Sequence, residues 1–425
     1  MTLPKRLKAV FKSDFNKNFL VLFSGSTISQ VIPLAVSVIL ARIYSQEDFG
    51  VLAVFNGMVL IFTSMANLRY EFAIPLPTED KDAVGLSFLS AFVALGISIL
   101  LFLIILLFKN PILNLIGGEK LNNWIFLVPL AAFLGGLYNA LNYFSLRFKQ
   151  YKTIASSNIL RSSSNAGLQL GFGLLGFKHA GLILGNLFSS FFGNARMIKH
   201  FFTYKHLFRF VNKQEMKKLA IRYKKFPLIS VWGIFLNSLS VNTNNFFIPK
   251  IYGIGQLGLY SFGYRYLSIP LSLIGSNMGQ LFYQVSSDCY KSNKPATKEF
   301  LSTLRKLLYI CGPFFLILFF VIENAFAFVF GEKWRIAGTY SQILLPLFLV
   351  RTLFAPLSVI APAFEKQGMA LMMQVAIFLA NVLSFVYAYV TKCDMQQFLY
   401  IYTYFGLAVY SFLLFILYRI AAQKI

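Results

Sequence analysis

Residues 91–108 read AFVALGISILLFLIILLF, an apolar run without a single charge. An α-helix rises about 1.5 Å per residue, so about 20 such residues cross the hydrocarbon core of a bilayer. Residues 314–330 form a similar run with one acid, Glu323. Strands of a membrane barrel would instead alternate apolar and polar residues over about 10 positions. The pattern predicts an all-α polytopic membrane protein.

The composition of the whole chain agrees with this prediction. Of its 425 residues 57% are hydrophobic and 13% charged, and the mean hydropathy is +0.66. A soluble domain has about 25% charged residues. We expect about twelve transmembrane helices, near residues 19–43, 49–73, 83–108, 124–148, 153–176, 179–198, 226–250, 257–285, 304–330, 336–364, 369–391 and 396–420.

The distribution of basic residues predicts the orientation. Because the number of spans is even, both termini lie on one side. Most of the 39 Lys and Arg fall in segments on that side, which makes it the cytoplasmic side by the positive-inside rule. The net charge of +24 is spread over many short loops, so we expect no nucleic-acid partner. The most basic segment, residues 199–225, has two interpretations: a cytoplasmic linker, or a surface that binds anionic lipid heads.

An internal repeat divides the chain into halves. Residues 41–50, ARIYSQEDFG, recur as residues 249–258, PKIYGIGQLG, and the tripeptide GEK occurs at residues 118–120 and 331–333. Each copy of a motif occupies the same place in its half. A six-span repeat preserves orientation, which predicts two parallel six-helix lobes, residues 1–198 and 226–425, around a central polar cavity.

Arginines and amides inside the apolar segments indicate which class of ligand the cavity binds. Ionisable residues are rare in membrane spans and usually functional. Spacings of three and four residues place polar side chains of the fifth and eighth spans on single helical faces, and the seventh span is rich in amides. The four arginines are Arg69, Arg161, Arg265 and Arg351. The accompanying polar candidates are Asn158, Asn165, Gln169, Asn237, Asn242, Asn244, Ser268 and Ser272.

Other interpretations remain open for some of these residues. Polar side chains also join packed helices to each other. Arg69 precedes Glu71 by two residues and could pair with it or extend to the membrane interface. Arg351 has apolar helical neighbours and could instead bind carbonyls freed by Pro346 or Pro356. The spans have no central carboxylate of the kind used by proton relays and cation pockets. No catalytic or metal-binding spacing is present, so we expect no enzyme, metal or cofactor.

Four separated motifs are ARIYSQEDFG at residues 41–50, LRYEFAIPLP at 68–77, GLYSFGYRYLSIPLSLIG at 258–275 and FGEKWRIAG at 330–338. They resemble those of Wzx-type polysaccharide-biosynthesis flippases, which translocate repeat units of O-antigen and capsule. The superfamily also contains multidrug extruders and the peptidoglycan-precursor flippase. The resemblance implies a two-lobed protein of the bacterial inner membrane that moves an undecaprenyl-pyrophosphate-linked oligosaccharide to the periplasmic leaflet by alternating access. Its partners would be that substrate, membrane lipids, and a polymerase and chain-length regulator of the same pathway.

The chemistry of the candidate residues suits this substrate. A buried pyrophosphate needs fixed positive charge, and arginine offers a permanent, forked donor. Amides and hydroxyls suit sugars. Alternative functions are a membrane glycan polymerase or ligase, which would carry a longer periplasmic loop, another exporter of the superfamily, and a structural membrane protein. The sequence does not identify the glycan or the energy source.

Overall fold

The computed structural model describes the backbone of residues 14–423 and the side chains of residues 24–423 except 229, 270, 273, 276 and 277. The basic residues at positions 5–12 that enter the orientation argument lie outside this part. Within it the regular structure is helical and no strand occurs. The α-helices are α1 (Asp14–Ile43), α2 (Gln46–Ala66), α3 (Asp80–Ile116), α4 (Val128–Arg147), α5 (Tyr151–Leu174), α6 (Lys178–Phe201), α7 (Lys213–Arg222), α8 (Val231–Asn242), α9 (Asn244–Tyr252), α10 (Ile254–Lys291), α11 (Thr297–Phe330), α12 (Arg335–Leu357), α13 (Ile360–Ala363), α14 (Gln367–Thr391) and α15 (Met395–Ala421).

Helices lie at the positions of all the predicted spans. Among the described residues, eight helical segments are long and apolar enough to cross a membrane: Ser24–Ile43, Gln46–Ala66, Asp80–Ile116, Glu119–Arg147, Thr297–Phe330, Glu332–Ala363, Gln367–Thr391 and Met395–Ala421. The predicted all-α, multi-pass membrane fold is therefore confirmed, whereas the number of twelve crossings stays a prediction. The predicted polar faces lie on helices outside these eight segments, namely α5, α10 and the pair α8 and α9. The long helix α6 also lies outside them.

The chain divides into two compact units. The first reaches Leu115 and resumes over Glu119–Ser238, and the second contains Ile116–Gly118 and begins again at Leu239. This division lies beyond residue 226, where the sequence predicted the second lobe to begin. Phe226 packs against the hydrophobic core of the first unit, which explains why the chain remains with that unit after the basic segment.

Close helix packing builds the first unit. Helix α5 packs against α1 and α6, and α4 packs against α2 and α6. Small residues make these approaches possible: a Cβ at Gly25 would lie 2.5 Å from the Cβ of Ala155, and a Cβ at Gly135 would lie 2.7 Å from Thr63. Helices can approach this closely in lipid because van der Waals contact drives their association. Helix α5, with its polar face, is thereby held between α1 and α6 of the same unit.

The second unit is organised around α12, which packs against α10, α11 and α15. The hydroxyl of Ser341 on α12 would lie 2.2 Å from a Cβ at Gly263 on α10, so only glycine fits at residue 263. Both halves of the sequence contain the same local arrangement. After the long helices α3 and α11, a glycine with positive φ, Gly117 (60°) or Gly331 (99°), turns the chain into a short 3₁₀ segment before the next helix. These turns coincide with the repeated GEK motif.

Candidate functional site

A polar cavity of about 250 Å³ lies inside the first unit. Helices α2, α4, α5 and α6 form its wall. On α2, α4 and α6 the side chains come from positions three and four residues apart, as a single helical face requires, whereas α5 contributes Arg161 alone. The lining residues are Phe55, Val59, Leu60, Thr63, Ala131, Gly135, Tyr138, Asn139, Arg161, Asn186, Leu187 and Ser190. Arg161 is the only charged residue among them.

Arg161 is held in this cavity by its stem and by one aromatic ring. The stem packs against α6, where a Cβ at Gly193 would lie 3.2 Å from the Cβ of Arg161. The guanidinium carbon lies 5.5 Å from the ring centroid of Tyr138, within the range of a cation–π contact. None of the described carboxylates forms an ion pair with Arg161. The positive charge is therefore not neutralised within the described part of the chain.

Amides and hydroxyls surround the cavity. The hydroxyl of Tyr138 donates to Oδ1 of Asn158, so this predicted residue lies beside the Arg161 site. Asn186 donates through Nδ2 to Oδ1 of Asn56 at 2.7 Å. The buried Oγ1 of Thr63 has no hydrogen-bond partner in the structure. Buried polar groups are normally paired, so Thr63 offers an unused hydrogen-bonding group at the cavity wall.

The rest of the predicted polar face of α5 has two different roles. Asn165, one turn beyond Arg161, has a buried Oδ1 without a partner, which is compatible with a ligand-binding role. Gln169 is 6% exposed, and its Nε2 donates to the carbonyl oxygen of Leu182 at 3.1 Å. The backbone carbonyl of Gln169 accepts from the hydroxyl of Tyr44 at 2.7 Å. The side chain of Gln169 joins α5 to α6, and we do not include it in the site.

Arg69 differs from Arg161 because it has an acidic partner. Its Nη1 lies 3.6 Å from Oε1 of Glu71, and its guanidinium carbon lies 3.6 Å from the ring centroid of Phe72. Arg69 adopts a left-handed conformation (φ 67°) at the start of the 3₁₀ segment Tyr70–Ala73. Of the two interpretations left open by the sequence, the structure favours pairing with Glu71. We therefore omit Arg69 from the proposed pyrophosphate site.

In the second unit, Arg351 lies in a cluster of tyrosines. Its Nη2 donates to the hydroxyl of Tyr264 at 3.2 Å, and its guanidinium carbon lies 5.1–5.8 Å from the rings of Phe348, Tyr264 and Tyr410. The predicted residue Asn244 belongs to the same cluster, since it donates to the hydroxyl of Tyr260, whose ring lies 5.6 Å from that of Tyr264. The structure thus brings Arg351 and Asn244 together through aromatic side chains.

Arg265 and its neighbours on α10 form a separate feature. Arg265 is half-buried and forms no ion pair with a described carboxylate. The hydroxyls of Ser268 and Ser272 donate to carbonyl oxygens of their own helix, at Arg265 (2.8 Å) and Ile269 (2.9 Å). Both hydroxyls retain lone pairs as acceptors. The helical backbone of α10 continues past residue 270 without interruption.

The two remaining amide candidates lie on α8. Asn242 is 5% exposed, and its Oδ1 accepts from Nδ2 of Asn245 at 3.2 Å. Asn237, one and a half turns earlier, is half-exposed. Asn242 therefore accepts a hydrogen bond within the second unit, whereas Asn237 belongs to the segment grouped with the first unit.

Several residues of the Arg161 cavity were not predicted, among them Thr63, Tyr138, Asn139 and Asn186. Asn139 and Asn142 on α4 are three residues apart, and Asn186, Ser190 and Asn194 on α6 are four apart, so repeated polar spacing was present on these helices as well. A single amide in a membrane span could have served as a signal, because such groups require a partner in hydrocarbon. The spacing of polar residues along each helix does not show which helices line the same cavity.

Comparison with known families is consistent with the motifs and the fold. The family model described as "Polysaccharide biosynthesis protein" matches residues 39–338. The chain belongs to this family. The match covers the repeated motifs of both halves as well as Arg161 and Arg265.

Curated relatives extend the comparison. The succinoglycan biosynthesis transport protein ExoT of Rhizobium meliloti (strain 1021) is 25% identical over 338 residues, which cover 78% of this family member and 65% of ExoT. The teichuronic acid biosynthesis protein TuaB of Bacillus subtilis (strain 168) is 25% identical over 121 residues, which cover 28% of the chain and 25% of TuaB. The alignments thus span less than two thirds of either relative.

Solved structures share the fold at low sequence identity. An inward-facing multidrug resistance transporter of the MATE family, in the MOP superfamily, aligns with a TM-score of 0.70 and 13% identity over 95% of this chain and 94% of the transporter. The lipid II flippase MurJ in an inward closed conformation aligns with a TM-score of 0.70 and 14% identity over 93% of this chain and 87% of MurJ. The family member therefore has the fold of MOP-superfamily proteins.

Proposed function

We propose that this protein is a flippase that moves undecaprenyl-pyrophosphate-linked oligosaccharide repeat units from the cytoplasmic to the periplasmic leaflet by alternating access. The observation that carries the proposal is the cavity of the first unit, where Arg161 stands among amides and hydroxyls without a carboxylate partner among the described residues. Arg161 is half-buried, and a partly buried cation without an ion pair is unfavourable by itself. A transported anion would supply the missing charge.

The chemistry of the cavity favours an anionic glycolipid over other cargo of the superfamily. No carboxylate lines the Arg161 cavity in the described part of the chain, and a carboxylate would be needed to hold a cationic drug. Pyrophosphate oxygens match the forked donors of arginine. The hydroxyl of Thr63 and the amides of Asn139 and Asn186 suit phosphate or sugar oxygens. The family and the relatives named for polysaccharide transport and biosynthesis support the same substrate class.

In the second unit we assign substrate contact to Arg265 and to the Arg351 cluster. Arg265 keeps an unneutralised charge on α10 beside Ser268 and Ser272. Arg351 is oriented by Tyr264, so its guanidinium is presented in a fixed direction and loses little conformational freedom on binding. Asn244, Asn158 and Asn165 are proposed to bind sugar or phosphate oxygens near the arginine of their own unit.

The test is a reconstituted flipping assay with an undecaprenyl-pyrophosphate-linked oligosaccharide in vesicles. Each charge-assisted hydrogen bond contributes about 1.5–3 kcal/mol, so Arg161→Gln, which loses a bidentate pair, should reduce transport about 100-fold. Arg161→Lys keeps the charge but not the fork and should lose only about tenfold. The matched control is Arg196→Gln on α6, since the exposed Arg196 donates, among the described residues, to Ser156. Equal transport by the Lys and Gln variants would show that charge at residue 161 is not needed.

The proposed orientation has its own test. With both termini cytoplasmic, a cysteine at Lys213 on α7 should react with an impermeant maleimide only from the cytoplasmic side. A cysteine at Glu119, between α3 and α4, should react only from the periplasmic side of the bacterial inner membrane. Labelling of both positions from the same side would contradict the proposed topology.

A further inference from the structure

The basic segment between α6 and the second unit forms an ordered surface on the first unit. It consists of a 3₁₀ segment, Phe202–Phe210, followed by α7, whose first turn is capped by Asn212 through a 2.9 Å bond from the backbone N–H of Glu215. We call the exposed cations of residues 199–225 the linker surface; they include Lys199 in the last turn of α6. They are Lys199, Lys205, Arg209, Lys213, Lys217, Lys218, Arg222, Lys224 and Lys225. The single acid among residues 199–225, Glu215, is paired with Lys218 at 2.7 Å.

Aromatic packing fixes the inner face of this segment. The ring of Tyr204 lies 4.3 Å from that of Phe148 and 5.4 Å from that of Phe144. The ring of Phe208 lies 5.1 Å from that of Phe88, and Leu219 of α7 is 5% exposed in the same core. The segment is therefore not a loose tether, and its cations have a defined direction.

The outer face combines cations with exposed apolar side chains. Phe202 is 56% exposed and Phe210 43% exposed, and the guanidinium carbon of Arg209 lies 4.8 Å from the ring centroid of Phe210. On α7, Lys213 and Lys217 are four residues apart and so share one helical face. Exposed aromatic rings interleaved with lysines are typical of helices that lie in a membrane interface.

We propose that the linker surface binds the anionic headgroups of phospholipids in the leaflet next to it, with Phe202 and Phe210 inserted at the level of the glycerol groups. The 3₁₀ segment begins directly after the last residue of α6, Phe201, so the surface starts where the sixth predicted span ends. An acidic protein partner would satisfy the cations but would leave no reason for the two exposed rings. This inference does not depend on the proposed transport activity.

Hydrogen exchange of the intact protein in nanodiscs tests the proposal. We compare discs of phosphatidylcholine with discs containing phosphatidylglycerol, at low and high salt. Each basic residue near an anionic membrane contributes about 1 kcal/mol, which corresponds to about fivefold slower exchange for each bound cation. We therefore expect slower exchange over residues 199–225 in phosphatidylglycerol, and a smaller effect at high salt because screening shortens the range of the attraction.

Two sets of variants make the test specific. Lys205→Gln, Lys213→Gln and Lys217→Gln together should abolish the lipid-dependent protection. A matched triple variant in the second unit, of the exposed Lys291, Lys294 and Lys298 to Gln, should leave it intact.

Three results would overturn the proposal. These are equal exchange of residues 199–225 in both lipids, equal protection in both triple variants, and protection by added polyglutamate but not by phosphatidylglycerol. The last result would identify an acidic protein as the partner. Because the measurement does not involve transport, a negative result leaves the proposed flippase function untouched.

Discussion

Replacing Arg161 by methionine should abolish transport without destabilising the protein. Methionine retains much of the aliphatic stem that packs on Gly193 and removes only the guanidinium. Arg161 has no carboxylate partner among the described residues, so its burial is not offset by an ion pair. Burial of a charge costs several kcal/mol when uncompensated, and apolar replacement of buried charges is often neutral or stabilising. We expect the free energy of unfolding to remain unchanged or to rise by about 1–2 kcal/mol.

Arg147→Met is the control with the opposite outcome. Arg147 closes the segment between α2 and α3. Its Nη2 donates to Oδ1 of Asp80 at 2.8 Å and to the carbonyl oxygen of Thr78 at 3.2 Å, and its Nη1 donates to the carbonyl oxygens of Pro75 and Pro77. Removing these bonds should lower the free energy of unfolding by about 3 kcal/mol. The loss is no larger because the side chain of Asp80 is half-exposed to solvent.

Both variants can be measured in the same way. Size-exclusion chromatography after heating detergent-solubilised protein gives the temperature at which the monodisperse fraction is lost, and the flipping assay gives activity. Functional residues commonly lower stability. Replacing a residue that binds substrate should therefore reduce transport without lowering the temperature at which the monodisperse fraction is lost. If Arg161→Met lowers this temperature as much as Arg147→Met does, Arg161 supports the fold and the assignment of its charge to substrate fails.

Two further predictions concern the first unit. Glu71→Gln should lower the free energy of unfolding by about 2 kcal/mol, because it leaves Arg69, which is 17% exposed, without its partner. The double variant that also carries Arg69→Met should recover part of this loss, and a double-mutant cycle without coupling would show that the pair contributes nothing. Gly25→Val should reduce the yield of folded protein, since a Cβ there would lie 2.5 Å from Ala155, whereas Gly167→Val, with no atom within 4 Å of its Cβ, should be tolerated. Fluorescence-detected chromatography of both variants decides this, and equal yields would contradict the close packing of α1 and α5.

Much of the architecture could be predicted from local sequence. A helix in hydrocarbon satisfies its backbone hydrogen bonds within itself, so the apolar run at residues 91–108 is sufficient to indicate α3. The repeated motifs at residues 41–50 and 249–258 marked the junctions that follow the first helix of each half. The polar spacing around Arg161 predicted a buried face, and the structure places that arginine in a cavity.

The partners of the four arginines were decided only by the tertiary structure. For Arg69 the sequence left pairing with Glu71 and extension to the interface open, and the structure pairs it with Glu71. Arg161 faces a cavity whose walls come from α2, α4, α5 and α6. Spacing along one helix determines which side chains share a face, but not which distant helix lies opposite. Gln169 shows the same limit: it shares the polar face of Arg161, but α6 offers it the carbonyl of Leu182. The packing of the helices decides whether a polar side chain joins two helices or remains available for substrate. The reason is that a polar group in lipid forms hydrogen bonds with whichever group the neighbouring helix places beside it.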